Sequence, residues 1–218
     1  MPRTILSTGS FTPPTERQTG GRRPAPGDLA LVQAFVNSRW DLDRELQDRF
    51  ADPAALERWL VEHQLLEPGA SLGPADLHRA VEVREGLRQL LYSNNGHPAD
   101  ANAVARLNAA LGRAGVSVRL RDGERPEFVA MQAGLDAALA VIAAIVAAAQ
   151  IDGSWNRLKA CPGRDCGWVF YDRSRNQSSG WCSMSVCGQR EKAREYRKRQ
   201  RQTAQDPRGQ QIGLGRDA

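Results

Sequence analysis

Four cysteines carry the chemistry that can be read from this chain: Cys161, Cys166, Cys182 and Cys187 are its whole complement of thiols. They fall as two pairs, each enclosing four residues, with fifteen residues between the pairs. Two such knuckles suit a metal better than a redox couple, because a zinc ion takes four thiolates at ~2.3 Å and short loops bring paired sulfurs to neighbouring corners of a tetrahedron. The spacing of four is wider than the commonest spacing of two. Three other readings compete. Two disulfides need an oxidising compartment, and no export segment is visible at the N-terminus. An iron-sulfur cluster can use the same ligands. Four unrelated buried thiols fit poorly with confinement to one short window. We therefore expect one structural zinc ion held by Cys161, Cys166, Cys182 and Cys187, with no open coordination position left for catalysis.

The residues around the ligands extend this reading. Pro162 and Gly163 lie inside the first knuckle and Gly188 follows the last ligand, which predicts tight turns with unusual backbone dihedrals there. Trp168 to Tyr171 reads as a strand, expected to join Trp181 in an apolar shell over the metal.

Directly after Cys187 comes a proline-free segment in which Arg190, Arg194, Arg197 and Arg201 recur at i, i+4, i+7 and i+11, so four guanidinium groups share one helical face. Lys192, Lys198 and Arg199 add charge. Ala193 and Tyr196 are expected to pack on the metal module. A short basic helix frays in isolation, so pinning its first turn to a metal preorganises the charge for phosphates or guanine edges, which arginine grips bidentately. Arg173 and Arg175 are candidates for further contacts from a loop. The residues named from Arg173 to Arg201 are thus the candidate nucleic-acid contacts. A solvated face, a protein-docking face or an anionic membrane surface would use the same charge, although a membrane would need an apolar stripe that is missing.

Upstream, the elements that must hold this module read as helical. Leu29, Val32, Phe35 and Val36 line a first helix that Asn37, Ser38 and Asp41 interrupt. Asp52-Pro53 and Pro74 open the next two, the second running to the Asn94-Asn95-Gly96 turn. Val104, Leu107 and Leu111 mark a fourth, ending near Gly112 to Gly115. Alternation at Val116, Val118 and Leu120, the Asp122-Gly123 turn signal and Phe128-Val129 predict one hairpin. Gly134 to Gln150 is an alanine-rich helix for close packing. Its apolar stretch, Ala137 to Ala149, falls short of the ~20 residues of a membrane span.

The expected fold is mainly α with one small β-hairpin. A flexible leader (1–27) precedes a helical N-terminal domain (28–152), a small C-terminal four-cysteine zinc finger with its basic helix (153–202), and a flexible tail (203–218). Charge divides the same way. Residues 28–152 carry −6 and residues 153–202 carry +8, within a net charge of +5, so the polyanion-seeking part is C-terminal.

The run Cys161-Pro-Gly-Arg-Asp-Cys166-Gly-Trp-Val-Phe-Tyr-Asp172-Arg-Ser174-Arg175-Asn176, followed by Trp181-Cys182-Ser-Met184-Ser-Val-Cys187-Gly-Gln-Arg190, closely resembles the CGNR zinc finger. Gln189 stands where that signature has Asn. Upstream, Leu29 to Ser38, Trp59 with Leu56 and Leu60, Arg84 with Leu87, and Leu107-Asn108 resemble the alanine-rich ABATE domain. The resemblance implies a bacterial, stress-induced transcription regulator, and the choice of DNA over RNA comes from it alone; with no membrane span or export segment visible, a cytoplasmic, nucleoid-associated location is expected. Asn37, Arg84 and Asn108 lie at positions matching the ABATE pattern. They are candidates for binding a small anionic or amide effector, set against ordinary structural roles in capping and ion pairing.

No HExxH, P-loop, GxGxxG or GxSxG motif is present, and His63, His78 and His97 have no evident nucleophile partner. An enzyme is therefore not expected. The alternative function is a zinc-stabilised protein-interaction or RNA-binding module without sequence-specific DNA binding. Homodimerisation would add affinity to a single short reading helix, but no seam is visible in the sequence.

Overall fold

Helix starts follow the capping residues. In a computed structural model, which describes residues 3–4, 18, 21–39, 48–120, 122 and 127–205, α1 spans Leu29–Asn37 and α2 spans Pro53–Glu62. The Asp52 carboxylate accepts from Ala55 N at 2.7 Å and Pro53 fills the first helical position, where a missing N–H does no harm. Helix α3 (Pro74–Ser93) also opens on proline, but its N-cap Gly73 has no side chain, and instead Gly73 N donates to the Asp76 carboxylate in the first turn at 2.9 Å. Asp100 caps α4 (Ala101–Leu111). The alanine-rich α5 is Gly134–Ile151 and the basic α6 is Gln189–Gln205.

Every residue of α1 is buried. It lies between α3, α5 and the C-terminal module, which explains why its polar residues Gln33 and Asn37 must find partners inside the protein. By length and composition α5 could cross a membrane. Here Leu135, Leu139, Ile142 and Ile145 are buried in the core shared with α1 and α3. Helices α3 and α4 meet at Gly86, where a Cβ would fall 2.5 Å from Leu107 Cβ and 3.1 Å from Ala103 O. Gly86→Ala is accordingly expected to destabilise the protein by ~1–3 kcal/mol through overpacking, read as a lower urea midpoint at unchanged slope.

The β structure exceeds the single expected hairpin. Strands β2 (Val116–Arg119) and β3 (Glu127–Ala130) pair antiparallel from Val116↔Ala130 to Arg119↔Glu127. Strand β1 (Arg3–Thr4) joins the other edge of β3, giving the order β1-β3-β2. A second hairpin pairs β4 (Leu158–Ala160) with β5 (Val169–Tyr171). Three residues are too few to show a period of two, so β4 leaves no signal in the sequence.

The leader also needs correction. Besides β1, residues 21–27 lie against the protein: Ala25 is buried and its N–H donates to Gln33 Oε1 at 2.7 Å. The rest of the leader apart from Gln18, together with Asp41, Gly123 and residues 206–218 of the tail, lies outside the described residues. Residues 203–205 belong to α6 rather than to a tail.

One apolar core runs from the helices into the second hairpin, taking in Trp155, Leu158, Ala160, Val169 and Tyr171. The cysteines have a smaller cluster of their own with Trp168, Phe170 and Trp181. Alternation along β5 divides the expected shell in two: Trp168 and Phe170 face the sulfurs, while Val169 and Tyr171 face the helical core.

Candidate metal centre and nucleic-acid interface

Strand β4 delivers Cys161 to the first knuckle, where Cys161 N donates to Trp168 O, Gly167 N to Cys161 O and Cys166 N to Gly163 O. The left-handed residues of this turn are Asp165 and Gly167. Gly163 and Gly188, expected to need such dihedrals, do not have them. Their smallness is steric instead. A Cβ on Gly163 would lie 3.4 Å from Cys187 Sγ, and one on Gly188 would collide with Met184 Sδ. In the second knuckle Ser183 O accepts from Cys187 N and Gly188 N, winding the π-helical turn Met184–Gly188 that leads directly into α6.

The four sulfur atoms all lie within 4.8 Å of one another. Cys182 Sγ is 3.6 Å from both Cys166 Sγ and Cys187 Sγ. A tetrahedron with ~2.3 Å bonds has edges of about 3.8 Å, so the donor set has the size of a zinc tetrathiolate. All four thiols are free, with Cys161, Cys182 and Cys187 buried. Hydrogen bonds from Cys166 and Cys182 pull the Cys161 thiol down to about 2. Sharing protons with Cys161 pushes Cys166 and Cys182 up, while burial followed by repulsion from Cys161 raises Cys187. One thiolate thus opposes ionisation of its three neighbours, a conflict that a divalent cation removes by displacing their protons.

A layer of hydrogen bonds fixes these knuckles to the rest of the protein. Asn37 bonds both backbone groups of Val169, at 2.9 and 2.8 Å, and Arg88 donates to Gly167 O at 2.6 Å and Val36 O at 2.7 Å. Asn94 holds Trp155 O and Leu158 O, and Asn95 holds Ala160 O and Gly180 O. Arg22 donates to Cys182 O at 2.8 Å and Trp181 O at 3.0 Å, with its guanidinium 4.7 Å from the Phe170 ring centre. Between the knuckles, buried Asp172 accepts from Lys159 Nζ at 2.9 Å and from Ser174 and Ser179. Sequence reasoning saw Asn94-Asn95 only as a turn and Arg22 only as leader. Arg88 and Lys159 were missed, and a lone charge at an otherwise apolar helix or strand position was the signal available for both.

The three proposed effector residues lie in different settings. Asn37 is engaged by β5. Arg84, 1% exposed, makes a bidentate pair with Asp48 at 2.6 and 2.7 Å and reaches Glu85 and Ser38. Asn108 is exposed on α4. For Asn37 and Arg84 the buried polar groups satisfy each other, as the structural alternative for these two residues requires.

The basic residues divide into two groups. Arg173 donates to Pro24 O at 2.8 Å with its guanidinium over Tyr171, so it ties down the N-terminal segment. Arg194 pairs with Glu191, and Arg199 lies 3.9 Å from Glu195. Among the described residues no carboxylate pairs with Arg175, Arg190, Lys192, Arg197, Lys198 or Arg201, and all six are exposed. Ala193 and Tyr196 do not pack on the metal module as expected: both are exposed, Tyr196 by 64%. The main packing partner of α6 is the turn from which it grows.

Residues 27–152 match the family model ABATE, described as "Putative stress-induced transcription regulator", and residues 157–200 match the CGNR zinc finger. No curated protein matches the chain.

Proposed function

The chain belongs to the ABATE family and carries a CGNR zinc finger, and from this premise we propose that it is a bacterial transcription regulator that grips duplex DNA with α6. Zinc bound by Cys161, Cys166, Cys182 and Cys187 supplies a structural cross-link, and the reading assigns the protein no catalytic reaction. The observation that carries it is the setting of α6, a helix whose described side chains are mostly exposed and polar, which leaves the cysteine-bearing turn with Arg190, Lys192, Arg197, Lys198 and Arg201 paired to no carboxylate among the described residues. Such a helix gains little from its own protein, and phosphates supply the missing counter-charge. Its 17 residues extend ~26 Å, enough to cross a major groove. Asn37 and Arg84 are already engaged by Val169 and Asp48, so the reading does not depend on an effector site. Its place of action is the nucleoid, within the cytoplasm.

Anisotropy titration of the zinc-loaded protein on a labelled duplex tests this. Contact with ~4–6 phosphates gives a slope of log affinity against log salt near −4 to −5. Arg197→Ala with Arg201→Ala should weaken binding on every sequence and reduce the slope by about 2, because neither side chain has a carboxylate to return to. Affinity independent of salt would refute the proposal.

A further inference from the structure

The sheet of the N-terminal domain has an open side. In the order β1-β3-β2, strand β2 is an edge, and no described strand pairs with its outer face. Edges of soluble proteins are ordinarily blunted by charge, proline or cover. This one presents Val116, Val118 and Leu120, which are 40%, 55% and 76% exposed. Side chains two apart lie on one face of a strand, so the three form a single apolar row.

The ladder also fixes where the backbone of this row points. Met131 N donates to Gly115 O at 3.0 Å in the register that pairs Val116 with Ala130. Hydrogen-bonded pairs alternate along an antiparallel ladder, so Ser117 and Arg119 direct their N–H and C=O groups to β3. Val116, Val118 and Leu120 direct theirs outward. The residues with exposed apolar side chains are therefore also those whose backbone groups have no partner among the described residues.

We propose that this edge pairs with the β2 edge of a second copy, antiparallel about a two-fold axis at Val118. In that register Val118 faces Val118 of the second copy and Val116 faces its Leu120, so six apolar side chains form one strip and six backbone hydrogen bonds close between residues that all point outward. Ser117 faces Arg119 on the opposite side of the sheet. Each Arg119 stays 3.7 Å from its own Glu127, and no like charges oppose one another. The charge pattern thus admits a second copy, and the joined sheet has six strands. Dimerisation also duplicates α6, the arrangement with which two-fold regulators read paired half-sites. That consequence rests on the DNA reading, whereas the dimer does not.

Sedimentation of the full-length zinc-loaded protein without DNA tests the proposal. The edge is short, so the dimer should assemble reversibly between ~1 and ~100 µM. Over the same range the amides of Val116, Val118 and Leu120 should gain protection from hydrogen exchange, while those of Ser117 and Arg119 are protected throughout. Val118→Arg sets two guanidiniums against each other and should yield a monomer whose melting temperature matches that of the natural protein at concentrations where both are monomeric, since the side chain is exposed. A protein monomeric at every concentration overturns the proposal, and so does a dimer that survives Val118→Arg. Protection of the same three amides in a strict monomer would assign the edge to residues 5–17 of the same chain and also overturn it.

Discussion

Stripping the metal, or replacing Cys182 by Ser, is expected to unwind α6 and abolish duplex binding while the helices of the N-terminal domain stay folded. Helix α6 has one principal anchor, the π-helical turn Met184–Gly188, and Cys187 sits inside that turn. Without zinc the turn loses its fixed point, and a 17-residue helix dominated by like charges is close to the length at which isolated helices are marginal. Structural zinc in small fingers is worth ~10–16 kcal/mol, far more than the turn can recover from Trp181 and Phe170 alone. The first hairpin of the module responds differently. Asn37, Arg88, Asn94 and Asn95 hold its backbone, and Leu158, Ala160, Val169 and Tyr171 lie in the main core. Elemental analysis should find one zinc per chain in reduced protein. Chelation should remove helical circular dichroism equivalent to α6 and little more. Retention of full helicity and full DNA affinity in metal-free protein would contradict both the site and its role.

Lys159→Met should destabilise the protein by roughly 3–5 kcal/mol, the range for removing one partner of a buried ion pair. The pair is not in itself a large source of stability, since desolvating two charges offsets most of their attraction. Its breakage is what is expensive, because Asp172 then keeps a buried charge with only Ser174 and Ser179 as donors. Lys159 also donates to Gln177 O at 2.5 Å and Ser179 O at 3.3 Å, so the loop between the knuckles loses its main tie. A double variant, Lys159→Met with Asp172→Leu, should recover a large part of the loss. Equality of the single and double variants in urea melts would argue against the pairing.

The same pair predicts an acid limb. Burial tends to raise the Asp172 carboxyl, but the Ser174 hydroxyl, Lys159 and the Ser174 amide together hold it well below the ordinary aspartate range. A carboxyl depressed on folding stabilises the protein above its unfolded value, ~3.9, and the contribution is lost as pH falls through the lower folded value. In Lys159→Met that limb should move to higher pH. Zinc thiolates also protonate in acid, so the comparison must be made at equal metal content.

Chemistry confined to neighbouring residues was legible in the chain. Knuckle spacing identified the four clustered cysteines, Asp52-Pro53 and Pro74 identified helix starts, and the arginine period identified α6 as a helix. Each depends on separations of a few residues, for which local geometry decides the outcome. Errors arose where a residue's partner was distant in sequence. Arg173 reads as a cation for DNA until Pro24 appears beside it, and Tyr196 reads as a packing residue until α6 proves to have little to pack against. Asn37 and Arg84 read as ligand groups until Val169 and Asp48 take up their hydrogen bonds.

By itself, then, the sequence determined the metal donors, the helical character of both parts and the sign of charge on each. Only the tertiary structure decided that the finger is built into the helical core rather than hung from it, and that no described strand pairs with the outer edge of β2. The physical reason is that ligand spacing and helix period are short-range quantities. Satisfaction of buried polar groups and of sheet edges depends on which distant segments come together, as Asn37 with Val169 and Arg22 with Cys182 show.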